Sequence, residues 1–278
     1  MEKTGKKKLT IQEIQDRKGT ADKIGMITVY DYQFASLVDA STCEMILVGD
    51  SLGMIVQGGS GTTHVNIEDM EYHLKAVRKG APNTFVVADM SFMSYQASRE
   101  EAIRNAGKLM KLGADCVKME GGLGIMDKIQ AVTEAGIPVM AHIGLTPQTA
   151  FSGFKLQGKS TDTAERLVRE AVAAEEAGAF CVLIEMIPAE LNKLIDEKLQ
   201  VPLISTGSGA SAAGFNLNLY DMLGIFGDFK PRFVRHYAKL RNTIIEAFNE
   251  WDQDIKSGDY PADAEAFHMA EEDLPKAD

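Results

Sequence analysis

Three scarcities bound this chain before any motif is read. Cysteine is rare: Cys43, Cys116 and Cys181 occur singly in 278 residues, with no CxxC pair and no metal-ligand spacing. That argues against a disulfide framework or a thiolate metal site, and it fits a reduced, cytoplasmic compartment. Cys116 and Cys181 lie inside apolar runs, where cysteine behaves as a small hydrophobe. Basic charge is outnumbered, with 29 Lys and Arg against 40 Asp and Glu, a net charge of -11 and a pI near 5.0. No basic surface is left to offset the phosphates of a nucleic acid. The one basic cluster, Lys3 to Lys8, reads as a frayed, solvated end. Long apolar runs are also missing. None approaches the roughly 20 residues that span a bilayer, and the N-terminus has no secretory apolar core.

What is present is a full apolar complement, 45% of residues, in a chain of the length of one large α/β domain. Thr10 to Glu13 has the S/T-x-x-E form of a capping box and predicts a short helix. Apolar runs predict strands at 25–31, 45–50, 84–89, 115–120, 138–144, 180–187 and 201–205, with a weaker eighth at 219–226. Helical spacing follows Asn66 (Ile67, Met70, Leu74, Val77), recurs at Ala102 to Met110 and Ala164 to Ala177, and ends in a stripe of Phe233, Tyr237, Leu240, Ile244 and Phe248. A long polar loop occupies 145–160. Eight strands alternating with helices predict a single-domain (β/α)8 TIM barrel over residues 1–258. An acidic, mobile tail is expected at 259–278.

The organising stretch is Met45-Ile46-Leu47-Val48-Gly49-Asp50-Ser51. An uninterrupted apolar run ended by glycine reads as a strand buried on both faces. In a parallel barrel the polar residues at strand C-termini converge on one mouth. That ring would hold Asp50, Ser51, Asp89, Lys118, Glu120, His142 and Glu185. Asp50, Asp89 and Glu120 end three consecutive strands, and carboxylates so placed repel unless a proton or cation joins them. Oxygen-only donors suit a hard cation such as Mg2+. For any single acid, capping of the following helix or local pairing is the ordinary alternative. Lys118 could meet a substrate carboxylate or pair with an acid. His142 is a ligand, a substrate contact or a satisfied core histidine. Glu185, alone in an apolar strand, is a general base or a partnered structural glutamate. Gly121-Gly122 and Gly207-Ser208-Gly209 serve a close ligand approach or simply turns.

Tyr30-Asp31, Val48-Gly49-Asp50-Ser51-Leu52-Gly53, Val87-Ala88-Asp89-Met90, Val117-Lys118-Met119-Glu120-Gly121-Gly122 and His142-Ile143-Gly144-Leu145-Thr146-Pro147-Gln148 occur in this order. Together with Lys155-Leu156-Gln157-Gly158, Ile184-Glu185 and Ser257-Gly258-Asp259-Tyr260-Pro261, they resemble the ketopantoate hydroxymethyltransferase family over about residues 8–268. The resemblance implies an Mg2+-dependent, cytoplasmic (β/α)8 barrel of the pantothenate pathway that forms a homo-oligomer, commonly a decamer. It implies transfer of a one-carbon unit from 5,10-methylenetetrahydrofolate to 3-methyl-2-oxobutanoate through a metal-stabilised enolate, giving 2-dehydropantoate. It assigns Asp50 and Asp89 as metal ligands that also meet the substrate, with Glu120 beside the metal. Ser51 and Lys118 go to the 2-oxo acid and Glu185 to the base. The chain departs from the family pattern at Ala212-Ala213-Gly214-Phe215, at Asn216 and Asn218 where apolar residues are usual, and in a shorter loop at 149–153. A sibling barrel using the same chemistry for another aldol addition or C–C cleavage, and a non-catalytic small-molecule-binding barrel, are the alternatives.

Overall fold

Strong local signals start most elements. The computed structural model describes residues 6–227 and 230–275. In chain order the elements are α1 (Ile11–Gln15), β1 (Ile24–Thr28), α2 (Tyr32–Asp39), β2 (Met45–Val48), α3 (Leu52–Ile55), α4 (Ile67–Gly80), β3 (Phe85–Asp89), α5 (Arg99–Lys111), β4 (Cys116–Glu120), α6 (Met126–Glu134), β5 (Val139–Gly144), α7 (Thr161–Glu176), β6 (Cys181–Glu185), α8 (Ala189–Lys198), β7 (Leu203–Thr206), β8 (Gly214–Asn218), α9 (Leu219–Met222) and α10 (Leu240–Ser257). Thr10 and Glu13 form the capping box of α1, and Asn66 with Asp69 forms that of α4. Each satisfies backbone donors that the first turn would otherwise leave open.

The eight strands are parallel and close in sequence order, with β8 pairing back to β1. Strand alternation then sorts every side chain. One parity faces the helices: Ile46, Val48, Val86, Ala88, Val117, Met119, Ala141, Ile143, Val182 and Ile184 pack there. The other parity faces the barrel axis. At the N-terminal end it is apolar, with Ile24, Met26, Met45, Leu47, Phe85, Met140, Phe180 and Ile204 in one cluster. One register step higher it turns polar, at Thr28, Asp89, Lys118, Glu120, His142 and Glu185. Burying each large apolar side chain is worth about 1.5–3 kcal/mol, and that stabilisation offsets the cost of a polar layer across the top of the barrel.

Three expectations change. The eighth strand is Gly214–Asn218, and Leu219–Met222 is a short helix capped by Asn218. Alternation hid it, because its axis-facing positions carry Asn216 and Asn218 where a core strand would show apolar residues. Second, β7 and β8 are joined by 207–213 with no helix between them, so strand and helix do not alternate there. Third, Phe233 and Tyr237 precede α10, whose stripe runs through Ile244, Phe248, Trp251 and Ile255. No α10 residue is buried, and Phe248 and Trp251 are 66% and 56% exposed.

The N-terminal lysines that are described are also less free than expected. Lys6 Nζ donates to Val38 O and Cys43 O and to Thr84 Oγ1, and Lys8 Nζ lies 2.6 Å from Asp115 Oδ1. Lys3 lies outside the described residues. Past Gly258, residues 259–275 form only two single 3-10 turns and are exposed.

Candidate active site

The polar layer is built by strand ends and completed by one loop. Asp50 follows β2 at Gly49. A methyl group on Gly49 would stand 3.0 Å from Ser51 Oγ, 3.0 Å from Thr28 Cγ2 and 3.6 Å from Asp89 Oδ2. Only glycine lets these groups close around the turn without displacement. Asp89 Oδ2 accepts the Asp50 backbone N–H at 3.0 Å, which sets the two aspartates side by side. Neither caps a helix. Gln148 Nε2 donates to Asp50 Oδ2 at 2.9 Å and to Met90 O at 2.8 Å, and its backbone N–H donates to Glu120 Oε1 at 2.7 Å. Tyr95 Oη donates toward Glu120 O at 2.6 Å and lies 2.9 Å from Gln148 Oε1.

Lys118 stands among the acids, its Nζ 2.6 Å from Asp89 Oδ1, 3.5 Å from Glu120 Oε2 and 3.2 Å from His142 Nδ1. His142 Nδ1 is 3.2 Å from Glu120 Oε2, and Nε2 is 3.3 Å from Glu185 Oε2. Glu185 ends β6 with its side chain 20% exposed, so of the four acids in this layer it is the least buried. Gly144, in a positive-φ conformation opposite it, leaves no room for a side chain: a methyl group there would lie 2.3 Å from Glu185 O. Gly207 and Gly209 take positive φ in the turn after β7, and Gly122 is faced by the Glu170 carboxylate.

The electrostatics are unbalanced. Burial, and then repulsion from Asp89 and Glu120, pushes the Asp50 carboxyl well above the usual range. Burial likewise raises Asp89 despite Lys118. Burial opposes the charge on Lys118, but the three carboxylates together outweigh it and hold the ammonium above its ordinary value. Burial also works against ionised Glu120, yet its contacts to His142 and Lys118 and the Gln148 N–H lower its pKa. His142 rises above the ordinary imidazole value because its carboxylate partners outweigh burial and the Lys118 charge.

Asp50, Asp89, Lys118, Glu120, His142 and Glu185 are therefore brought together as one network. Ser51 stands outside this network, its Oγ hydrogen-bonded instead to Tyr30 Oη at 2.8 Å. Among the described residues no group of three or more His, Cys, Asp or Glu side chains is gathered at metal-holding distance. The donor chemistry nonetheless suits a hard cation held mainly by two carboxylates, which is how Mg2+ binds when water and substrate complete its octahedron. Asp50 and Asp89 are adjacent, buried and under-neutralised, and Asp89 Oδ1 has no well-directed hydrogen bond despite the nearby Lys118. Glu120 is already taken up by Gln148, His142 and Lys118.

Sequence reasoning assigned no role to Gln148, Tyr95, Tyr30 or Asn218. Gln148 and Tyr30 sat within the motifs quoted above but bore no charge to mark them. A cavity of about 390 Å³ lies over the 145–157 loop after β5, lined by Thr146, Phe151, Lys155, Gln157 and Arg166.

A closed parallel barrel with buried carboxylates, a lysine and a histidine at the C-terminal ends of its strands is the active-site layout of a (β/α)8 enzyme. Solved structures share the fold at low identity. Phosphonopyruvate hydrolase matches with a TM-score of 0.61 at 13% identity, over 94% of this chain and 92% of that one. 2,3-Dimethylmalate lyase, a member of the PEP mutase/isocitrate lyase superfamily, gives 0.60 at 16%, over 92% and 91%. The sequence pattern of ketopantoate hydroxymethyltransferase matches residues 8–263. The 3-methyl-2-oxobutanoate hydroxymethyltransferase of Enterococcus faecalis is 46% identical over 272 residues, covering 97% of this chain and 99% of the relative. That of Heliobacterium modesticaldum is 46% identical over 269 residues, covering 96% and 98%. The chain belongs to the ketopantoate hydroxymethyltransferase family.

An isosteric change tests the charge imbalance. Asp50→Asn keeps an acceptor for Gln148 and removes one buried, repelled charge. The metal-free variant is expected to be more stable than wild type at pH 8 by about 1–3 kcal/mol, the scale of a buried uncompensated polar group; added Mg2+ is expected to stabilise wild type and not the variant. Urea unfolding with and without Mg2+ measures both, and lower apo stability with an intact Mg2+ response counts against the assignment.

Proposed function

We propose that this protein transfers a hydroxymethyl group from 5,10-methylenetetrahydrofolate to 3-methyl-2-oxobutanoate, yielding 2-dehydropantoate for the pantothenate pathway. Family membership supports the reaction and acid. The observation that carries the mechanism is Glu185, a partly exposed acid beside a layer of buried acids, with His142 at 3.3 Å.

Asp50 and Asp89 are the residues that would hold Mg2+, with Glu120 set beside them through Lys118 and Gln148. When bound, the ion supplies Lewis-acid stabilisation of the negative charge that develops on the 2-oxo acid. The chain does the rest. Ser51 donates a hydrogen bond to the acid. Lys118 keeps positive charge at the floor of the site where the substrate carboxylate arrives. Glu185 takes the proton from C3, with His142 Nε2 standing 3.3 Å from its Oε2. The carbon so activated bonds to the one-carbon unit as that unit's two C–N bonds to the folate break; one water supplies the hydroxyl, and its remaining proton, together with the proton taken from C3, ends on the two folate nitrogens, leaving tetrahydrofolate.

The exposed apolar stripe of α10 supports a homo-oligomer in which other copies cover it, as the decameric family pattern implies. Three free cysteines, two of them buried, fit the cytoplasm.

The test is deuterium exchange at C3 of 3-methyl-2-oxobutanoate, followed by NMR with Mg2+, and product formation on adding methylenetetrahydrofolate. Exchange and transfer are both expected. Exchange without transfer would move the assignment to a sibling aldol or lyase reaction, and neither would leave a binding barrel.

A further inference from the structure

The departure at Asn218 connects directly to the mouth. Its carboxamide is oriented by the backbone: Oδ1 accepts the Tyr220 N–H at 3.0 Å as the cap of α9. Nδ2 is thereby turned to donate to Tyr30 Oη. Tyr30 is 1% exposed, and its hydroxyl meets only Asn218 Nδ2 and Ser51 Oγ among the described residues. An amide nitrogen cannot accept. The tyrosyl proton must then go to Ser51 Oγ, at 2.8 Å, or remain buried without a partner. Ser51 in turn has no other side-chain partner among the described residues. It stands at the N-cap of α3 without bonding that helix. Its own proton is left free of Tyr30, at the turn where a methyl group on Gly49 would lie 3.0 Å from Ser51 Oγ and 3.6 Å from Asp89 Oδ2.

We infer that Asn218 is a positioning residue that fixes the direction of a three-membered hydrogen-bond chain, Asn218 to Tyr30 to Ser51, so that Ser51 presents a hydroxyl proton, not a lone pair, to the anionic 2-oxo acid. With an apolar residue at 218, the Tyr30–Ser51 bond can run either way, and Ser51 spends part of its time donating backwards. With Asn218 it is held forward. The inference rests on the reading of Ser51 as a contact of the 2-oxo acid, and it adds a residue that the family pattern does not share.

Asn218→Asp isolates direction from structure. Aspartate caps a helix as well as asparagine and still accepts the Tyr220 N–H, so the thermal midpoint should hold. Its second oxygen now accepts from Tyr30, Tyr30 accepts from Ser51, and Ser51 turns a lone pair toward the ligand. The dissociation constant of 3-methyl-2-oxobutanoate, titrated calorimetrically into the Mg2+-loaded full chain, should rise about 10-fold or more, the scale of a hydrogen bond to a charged group. KM should rise with it while kcat changes less. Asn218→Leu should weaken binding by less than Asn218→Asp. Ser51→Ala should itself weaken binding, and in that background Asn218→Asp should change the constant by no more than about twofold, the usual bound for independent sites.

Each other outcome overturns the inference in a distinguishable way. If Asn218→Asp weakens binding equally with Ser51 absent, the effect is plain charge repulsion. If Ser51→Ala weakens binding but Asn218→Asp does not, the directed chain fails while Ser51 keeps its substrate role. If Ser51→Ala changes nothing, the Ser51 reading falls and takes the chain with it.

Discussion

Glu185→Gln is expected to fold, bind Mg2+ and bind 3-methyl-2-oxobutanoate, yet lose C3 proton exchange by about 100-fold or more, the range for a positioned general base. The substitution keeps the shape of the side chain and removes its ability to take a proton. Glu185 is suited to the task because it alone combines partial exposure, 20%, with a neighbour in His142 Nε2 at 3.3 Å. The other acids of the layer are buried and already engaged by Lys118, Gln148 or each other. Deuterium exchange by NMR on the metal-loaded variant decides the matter. Exchange at the wild-type rate would transfer the role to His142 or to a metal-bound hydroxide.

Lys118→Met should produce the largest loss of stability. It removes the lysine that stands 2.6 Å from Asp89 and 3.5 Å from Glu120, with side chains of both partners almost wholly buried. Breaking a buried pair from one side costs about 3–5 kcal/mol, because the remaining charge has no compensation. The pH dependence follows from the directions of the shifts. Asp50 and Asp89 already sit above the ordinary carboxylate range in the folded protein, and without Lys118 they rise further. A carboxylate raised on folding carries no penalty below its unfolded pKa of about 4 and an increasing penalty as pH climbs through its folded value. The deficit of the variant relative to wild type should therefore be smallest near pH 4 to 5 and widen toward pH 8. Urea unfolding across that range, without metal, measures it. A deficit independent of pH would mean that Lys118 contributes packing of its stem and not charge. Substrate binding to the variant should also weaken, by about 1–3 kcal/mol for a charged hydrogen bond.

Both predictions depend on residues that alternation alone had pointed toward one mouth. Asp89, Lys118, Glu120, His142 and Glu185 each interrupt an apolar run near its C-terminal end. Once the strands are parallel and closed, their parity leaves no other place for them. The barrel itself was legible for the same reason: seven of its strands are apolar enough on both faces to declare themselves. The eighth was not. Gly214–Asn218 carries polar residues toward the axis, because there it meets Thr28 through Asn216 at 3.2 Å and Tyr30 through Asn218. A strand whose inner face joins a polar network has no apolar periodicity to read, so the stronger apolar character of 219–226 drew the assignment downstream.

The partners of the site residues were likewise invisible one at a time. Gln148 is an uncharged residue of a loop nearly a hundred positions from Asp50, and only closure of the barrel brings its amide to 2.9 Å from that carboxylate. Lys118 offered two readings in the sequence, a substrate contact or an ion pair, and its distance from Asp89 establishes the pair. The sequence by itself determined the order of strands, the side of the barrel that carries chemistry and the family, because these follow from local periodicity and from motifs contiguous in the chain. The tertiary structure decided which acid stays partly exposed, which are joined by Lys118 and Gln148, and which way the Asn218 amide faces, because charge balance and hydrogen-bond direction are set by neighbours that only folding brings together.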